Sequence, residues 1–132
     1  MVLLCVDDDP EDIEVFCDAV KEVDASANCI AAYNGQQALD ILESGLLPDY
    51  IFLDINMPVL GGMETLKTVR KERRYRNIPV IIYSTTSDPS EIKLFIKEGA
   101  TDFLVKPNQF QGLCFALDSL LKSGKSRFFS TR

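Results

Sequence analysis

The chain has 132 residues, 46% hydrophobic and 26% charged, with a net charge of −6 and a pI near 4.6. That length supports one domain with its own core, and the acidic balance excludes a general nucleic-acid grip, which needs a basic face. No apolar run approaches the ~20 residues of a membrane span. No basic residue precedes the short first apolar run, as a secretory signal requires. With no histidine and no C-x-x-C pair among four cysteines, the usual zinc sites are excluded as well.

The first apolar run is Val2–Val6, and it stops against Asp7, Asp8 and Asp9. Asp9 and Pro10 then read as an N-cap and a first-turn proline, opening a helix whose stripe is Ile13, Phe16, Cys17, Val20 and Val23. Further strand-like runs are Cys29–Ala32, Tyr50–Leu53, Val80–Tyr83 and Phe103–Val105. Most lack polar alternation, as strands covered on both faces do. A second helical stripe, Ala38, Ile41 and Leu42, follows Asn34-Gly35. Met63, Leu66 and Val69 form a third, and the basic run Lys71–Arg76 after it is read as a solvated end that suits the helix dipole. Ile92, Phe95 and Ile96 form a fourth, closed by Gly99 as a C-terminal cap. Leu113, Leu117, Leu120 and Leu121 form the fifth.

Five strand–helix units in alternation predict an α/β fold: an open, doubly wound parallel sheet with helices on both faces. One domain is expected over residues 1–122, with residues 123–132 a flexible tail on which Phe128 and Phe129 could dock. Cys5, Cys17, Cys29 and Cys114 each fall in an apolar pattern and are read as buried free thiols in a reducing cytoplasm.

In a parallel sheet every strand C-terminus lies on one edge, where ligands bind. Asp7, Asp8 and Asp9 follow the first strand, Asp54 the third, Ser84, Thr85 and Thr86 the fourth, and Lys106 the fifth. Asp9 can leave this group as a cap. The remaining carboxylates make an oxygen-only site suited to Mg²⁺ or Mn²⁺, and Lys106 adds a fixed positive charge. An ionised carboxylate beside a metal and an ammonium can attack a phosphoryl group without a base.

The motifs "VDDDP", "FLDINMPVLGG", "PVIIYSTT" and "GATDFLVKP", in this order, resemble the receiver domains of two-component response regulators, including the chemotaxis regulators. The likeness runs from about Val2 to Leu121. It implies a flavodoxin-like (βα)5 fold with strand order 2-1-3-4-5. It further implies Asp54 as phosphoacceptor, Asp8 and Asp54 as Mg²⁺ ligands with the Asn56 carbonyl, and Asp7 acting mostly through water. Lys106 would pair with the phosphoryl group, and Lys106–Pro107 would be cis. Ser84 would be the switch hydroxyl and Phe103 the switch aromatic, rotating inward beneath the fourth helix as Ser84 moves. The changing surface would be the fourth helix, strand five and the fifth helix.

Several positions depart from the common pattern. Gly61 stands in place of an aspartate, Ser84 replaces threonine and Phe103 replaces tyrosine, and Tyr83 and Thr85 are unusually bulky and polar beside Ser84.

The implied function is a cytoplasmic signalling phosphoacceptor, either a stand-alone receiver or one cut from a longer protein, and not a turnover enzyme. It would take a phosphoryl group from a histidine kinase or histidine phosphotransfer protein and present a switched surface to a downstream protein, without binding nucleic acid or membrane. Two other readings compete. A haloacid-dehalogenase-type phosphohydrolase would use the Asp-x-Asp within Asp7–Asp9, but Pro10 follows directly and no later acidic pair appears. A flavodoxin-like electron carrier would need a hydroxyl- and glycine-rich phosphate loop where three aspartates stand.

Overall fold

The computed structural model describes residues 1–86 and 88–123. Its elements run β1 (Val2–Val6), α1 (Pro10–Val23), β2 (Asn28–Ala32), α2 (Gly35–Glu43), β3 (Tyr50–Leu53), α3 (Gly62–Lys71), β4 (Val80–Ser84), α4 (Pro89–Lys97), β5 (Asp102–Val105) and α5 (Phe110–Ser123). The five strands form one parallel sheet in the order β2-β1-β3-β4-β5. Apart from Ser123, which closes α5, the tail expected over 123–132 lies outside the described residues, Phe128 and Phe129 with it.

Alternation along each strand divides the core in two. Leu4, Val6, Leu53, Ile82 and Phe103 face α2, α3 and α4, meeting Leu42, Leu66, Val69 and Phe95. Leu3, Cys5, Phe52, Ile81 and Leu104 face α1 and α5, meeting Phe16, Val20, Leu113 and Leu117. Each such side chain contributes roughly 1.5–3 kcal/mol of apolar transfer. Because both faces are covered, the strands carry little polar alternation.

The helix punctuation follows the sequence. Asp9 Oδ1 accepts from the Glu11 amide at 3.0 Å, and Asn34 Oδ1 from the Gln37 amide at 2.8 Å. Gly99 ends α4 at φ +114°, a conformation that side chains bearing a Cβ seldom adopt. The cations of the run after α3 are exposed, as expected of a solvated end, while Tyr75 is buried among them. Arg73–Tyr75 form a 3₁₀ turn, Arg74 bridges Glu43 at 2.8 Å, and its guanidinium lies 4.9 Å from the centre of the Tyr75 ring. Arg70, just before the run, reaches the Gly99 carbonyl at 2.7 Å, the Ile78 carbonyl at 3.0 Å and Thr101 Oγ1 at 3.3 Å. It ties α3 to the entry of β4 and to the turn that precedes β5.

Two expectations are corrected. Cys17 and Cys29 form a disulfide, with Cα atoms 5.6 Å apart; α1 folds back beside β2 and brings them into bridging range. Only Cys5, which is buried, and Cys114, which is partly exposed, are free, so four free thiols no longer argue for a reducing compartment. The second correction concerns Lys106–Pro107. No peptide bond among the described residues is cis, this one included; trans is intrinsically the lower form of an X–Pro bond by ~0.5–1 kcal/mol. Among the described residues no helix is long and apolar enough to cross a membrane.

Candidate phosphoryl and metal site at the sheet edge

The strand order reverses at β1, whose neighbours are β2 and β3. The crevice at that reversal lies beyond the C-terminal ends of β1 and β3. Asp7 leaves β1 with its amide bonded to the Ala32 carbonyl at 3.0 Å, and Asp54 leaves β3 with its amide bonded to the Val6 carbonyl at 2.9 Å. The ladder thus holds both aspartates at fixed heights until their side chains project. Carboxylate oxygens of Asp7, Asp8 and Asp54 all lie within 4.8 Å of one another. Gly62 lets α3 come this close, since a Cβ there would collide with the Asp54 carbonyl oxygen.

The three acids differ in environment. Asp7 is buried, and its Oδ1 accepts from the Asp9 amide at 3.0 Å. Asp8 is exposed. Asp54 is half-buried, and its Oδ1 accepts from the Ile55 amide at 2.8 Å. Lys106 reaches the group from beyond β5, where its own amide bonds the Ser84 carbonyl at 2.7 Å. Its Nζ donates to Asp7 Oδ2 at 2.7 Å and to Asp12 Oδ2 at 2.9 Å, and stands 3.6 Å from Asp54 Oδ2.

The charges respond to this packing. Burial pushes the Asp54 carboxyl up to about 6, against the pull of Lys106 and with a further push from Asp7. Lys106 offsets burial only in part because its hydrogen bonds go to the other two acids. Burial by itself would lower the Lys106 ammonium; the bonds to Asp7 and Asp12 and the charge on Asp54 outweigh it and hold the group protonated. At neutral pH Asp54 is mostly ionised and Lys106 fully so.

The remaining predicted residues fall around this group. Asn56 is exposed in the loop after Asp54. In the same loop Val59 takes φ +70°, a strained setting for a β-branched residue. Ser84 is buried at the end of β4, on the face that α4 covers, and its hydroxyl lies 3.5 Å from the Thr86 amide. Phe103 lies inward in this structure. Its ring is already fully buried, tilted at 70° to Phe95 of α4 with centroids 6.5 Å apart. The gain foreseen from rotating it inward is already realised here, because Phe95 supplies the packing partner.

Asp12 is the residue that sequence reasoning missed. An acid in the first turn of a helix reads as a dipole complement; the usable signal was that α1 starts at the same edge as Lys106.

The family model described as the response regulator receiver domain matches residues 3–118. The chain belongs to that family. It is 31% identical over 116 residues to the probable C4-dicarboxylate response regulator DctR of Bacillus subtilis; the match takes in 88% of this chain but half the length of that relative. The chemotaxis protein CheY4 of Vibrio cholerae superposes with a TM-score of 0.79 at 29% identity, covering 92% of this chain and 96% of that one. The fold is also that of the response regulator Rcp1, with a TM-score of 0.81 at 21% identity over 93% of both chains. This receiver domain is therefore a module of two-component signalling, and the phosphohydrolase and electron-carrier readings fall away.

Proposed function

We propose that this receiver domain accepts a phosphoryl group on Asp54 from a phosphohistidine and relays it as a change in a protein-binding surface. The carrying observation is the convergence of Asp7, Asp8, Asp54 and Lys106 at one sheet edge. Asp54 has one oxygen committed to the Ile55 amide, which leaves Oδ2 facing Lys106 as the nucleophile. The new O–P bond forms as the N–P bond of the donor imidazole breaks, its electron pair staying on nitrogen. Lys106 then serves the phosphoryl oxygens as a charged donor.

Three carboxylates within 4.8 Å and no nitrogen or sulfur donor among them suit a hard divalent cation. Asp7, Asp8, Asp54 and the Asn56 carbonyl would hold Mg²⁺, or Mn²⁺, which Rcp1 carries in its Mn²⁺-bound crystal form. When bound, the cation neutralises charge on the phosphoryl oxygens. Ser84 would bond a phosphoryl oxygen, and the contact between Phe103 and Phe95 would carry that movement to α4. The exposed side chains Leu94 and Phe115 give the α4–β5–α5 face apolar area for a partner to read. The phosphodonor would be a histidine kinase or histidine phosphotransfer protein.

Acetyl phosphate with Mg²⁺ should add one hydroxylamine-labile phosphoryl group, measured by intact mass. Asp54→Asn should abolish it, and full labelling of that variant would refute the assignment. Asp8→Ala should weaken Mg²⁺ binding strongly.

A further inference from the structure

The site contains one carboxylate that the proposed function leaves without a task. Asp12 lies 94 residues from Lys106 in sequence, yet accepts from its Nζ at 2.9 Å. An ammonium has three N–H donors. Asp7 and Asp12 take two of them, while Asp54 Oδ2, at 3.6 Å, is beyond hydrogen-bond distance. The Tyr83 ring, 5.2 Å from Nζ, covers another side. Lys106 thus keeps Asp54 in ion-pair range while its two short bonds go to Asp7 and to Asp12 on α1.

The two ends of this bond are unlike. The Lys106 side chain is 12% exposed, whereas that of Asp12 is 45% exposed. The acid therefore sits at the rim and can return to water when Lys106 leaves it. Space for that exists, because Asp12, Lys106, Tyr83 and Phe110 line a cavity of about 110 Å³. A dipole complement at the start of α1 would need only solvent, and would not require a partner in the phosphoryl site.

We infer that Asp12 is a positioning residue that draws the Lys106 ammonium toward α1, so that a phosphoryl group on Asp54 competes with Asp12 for its charge. This rests on the proposed function. Asp12 then opposes phosphorylation in two ways: it pulls the ammonium toward itself, and its charge repels the incoming anion. Release of Asp12 into the cavity would also mark the phosphorylated state on the first turn of α1, away from the α4–β5–α5 face.

The test is an equilibrium titration of the full chain with beryllofluoride, a phosphoryl mimic, at saturating Mg²⁺, read from amide resonances around Asp54. Asp12→Asn and Asp12→Ala should bind the mimic about 3–10-fold tighter than the native chain. That gain should shrink at ~1 M salt, where the screening length falls to ~3 Å. Asp12→Glu, which restores the charge, should return to native affinity, a rescue that loss of a merely structural contact would not produce. In the native chain the Asp12 side-chain carboxyl ¹³C resonance should move when the mimic binds. Unchanged or weaker binding by both neutral variants, or a Glu variant that behaves like the Asn one, would overturn the inference and leave the proposed function standing. A native chain that takes up no beryllofluoride at Asp54 would overturn both.

Discussion

Asp54 should cost this protein stability whenever no cation is bound. Burial raises its carboxyl from 3.8 to about 6, a difference worth about 3 kcal/mol at 1.36 kcal/mol for each pH unit. The sign follows from proton counting. Between those two values the folded chain holds more protons at Asp54 than the unfolded chain does, so stability falls as pH rises through the interval. The penalty is complete above about pH 6 and vanishes below about pH 4. Asp54→Asn removes the charge and keeps an oxygen for the Ile55 amide, which now sits 2.8 Å from Oδ1. In EDTA at pH 7.5 the variant should therefore be more stable than the native chain by about 2–3 kcal/mol, a large share of the 5–15 kcal/mol typical of a domain. Urea unfolding at pH 4, 5, 6 and 7.5 measures this, with a shift in midpoint at constant slope. Asp8 and Asp12 are present in both chains, but Asp7 interacts directly with Asp54, so the difference reports the Asp7–Asp54 pair and not Asp54 alone. A variant less stable at pH 7.5, or a gap that does not close on acidification, would refute the claim that Asp54 is held charged against its surroundings.

Two further predictions concern the scaffold. Reducing the Cys17–Cys29 disulfide, which closes a separation of 12 residues, should lower stability by up to ~3 kcal/mol on the chain-entropy estimate; equal urea midpoints with and without reductant would contradict this. Arg70→Ala should cost ~2–4 kcal/mol, because it strands the Gly99 and Ile78 carbonyls that the guanidinium now serves, and Arg70→Lys should recover only part of it, since an ammonium lacks the planar fork; thermal unfolding of the two variants decides.

Much of this protein is legible along the chain. Strands at Val2–Val6 and Tyr50–Leu53 fall where the apolar runs predict them, and the others differ by a residue or so at an end. Asp9, Asn34 and Gly99 punctuate the helices through bonds and dihedrals that are local to them. The sheet edge was legible too, because parallel topology sends every strand C-terminus the same way, so Asp7, Asp54 and Lys106 had to lie on one edge; their adjacency depends on the strand order, which the resemblance implied. What the chain order could not reveal depends on distances between elements. The Cys17–Cys29 bridge exists because α1 lies beside β2, and no spacing rule encodes that. Phe103 is already buried because Phe95 comes to it from another element. The Asp12–Lys106 bond spans α1 and the segment after β5, and the Asp54 carboxyl rises to about 6 only because burial outweighs an ammonium whose donors point elsewhere. Hydrophobic period and capping act over a few residues and can be read in order. Burial, desolvation and the sharing of one cation among three acids are set by three-dimensional packing, and only the folded chain decides them.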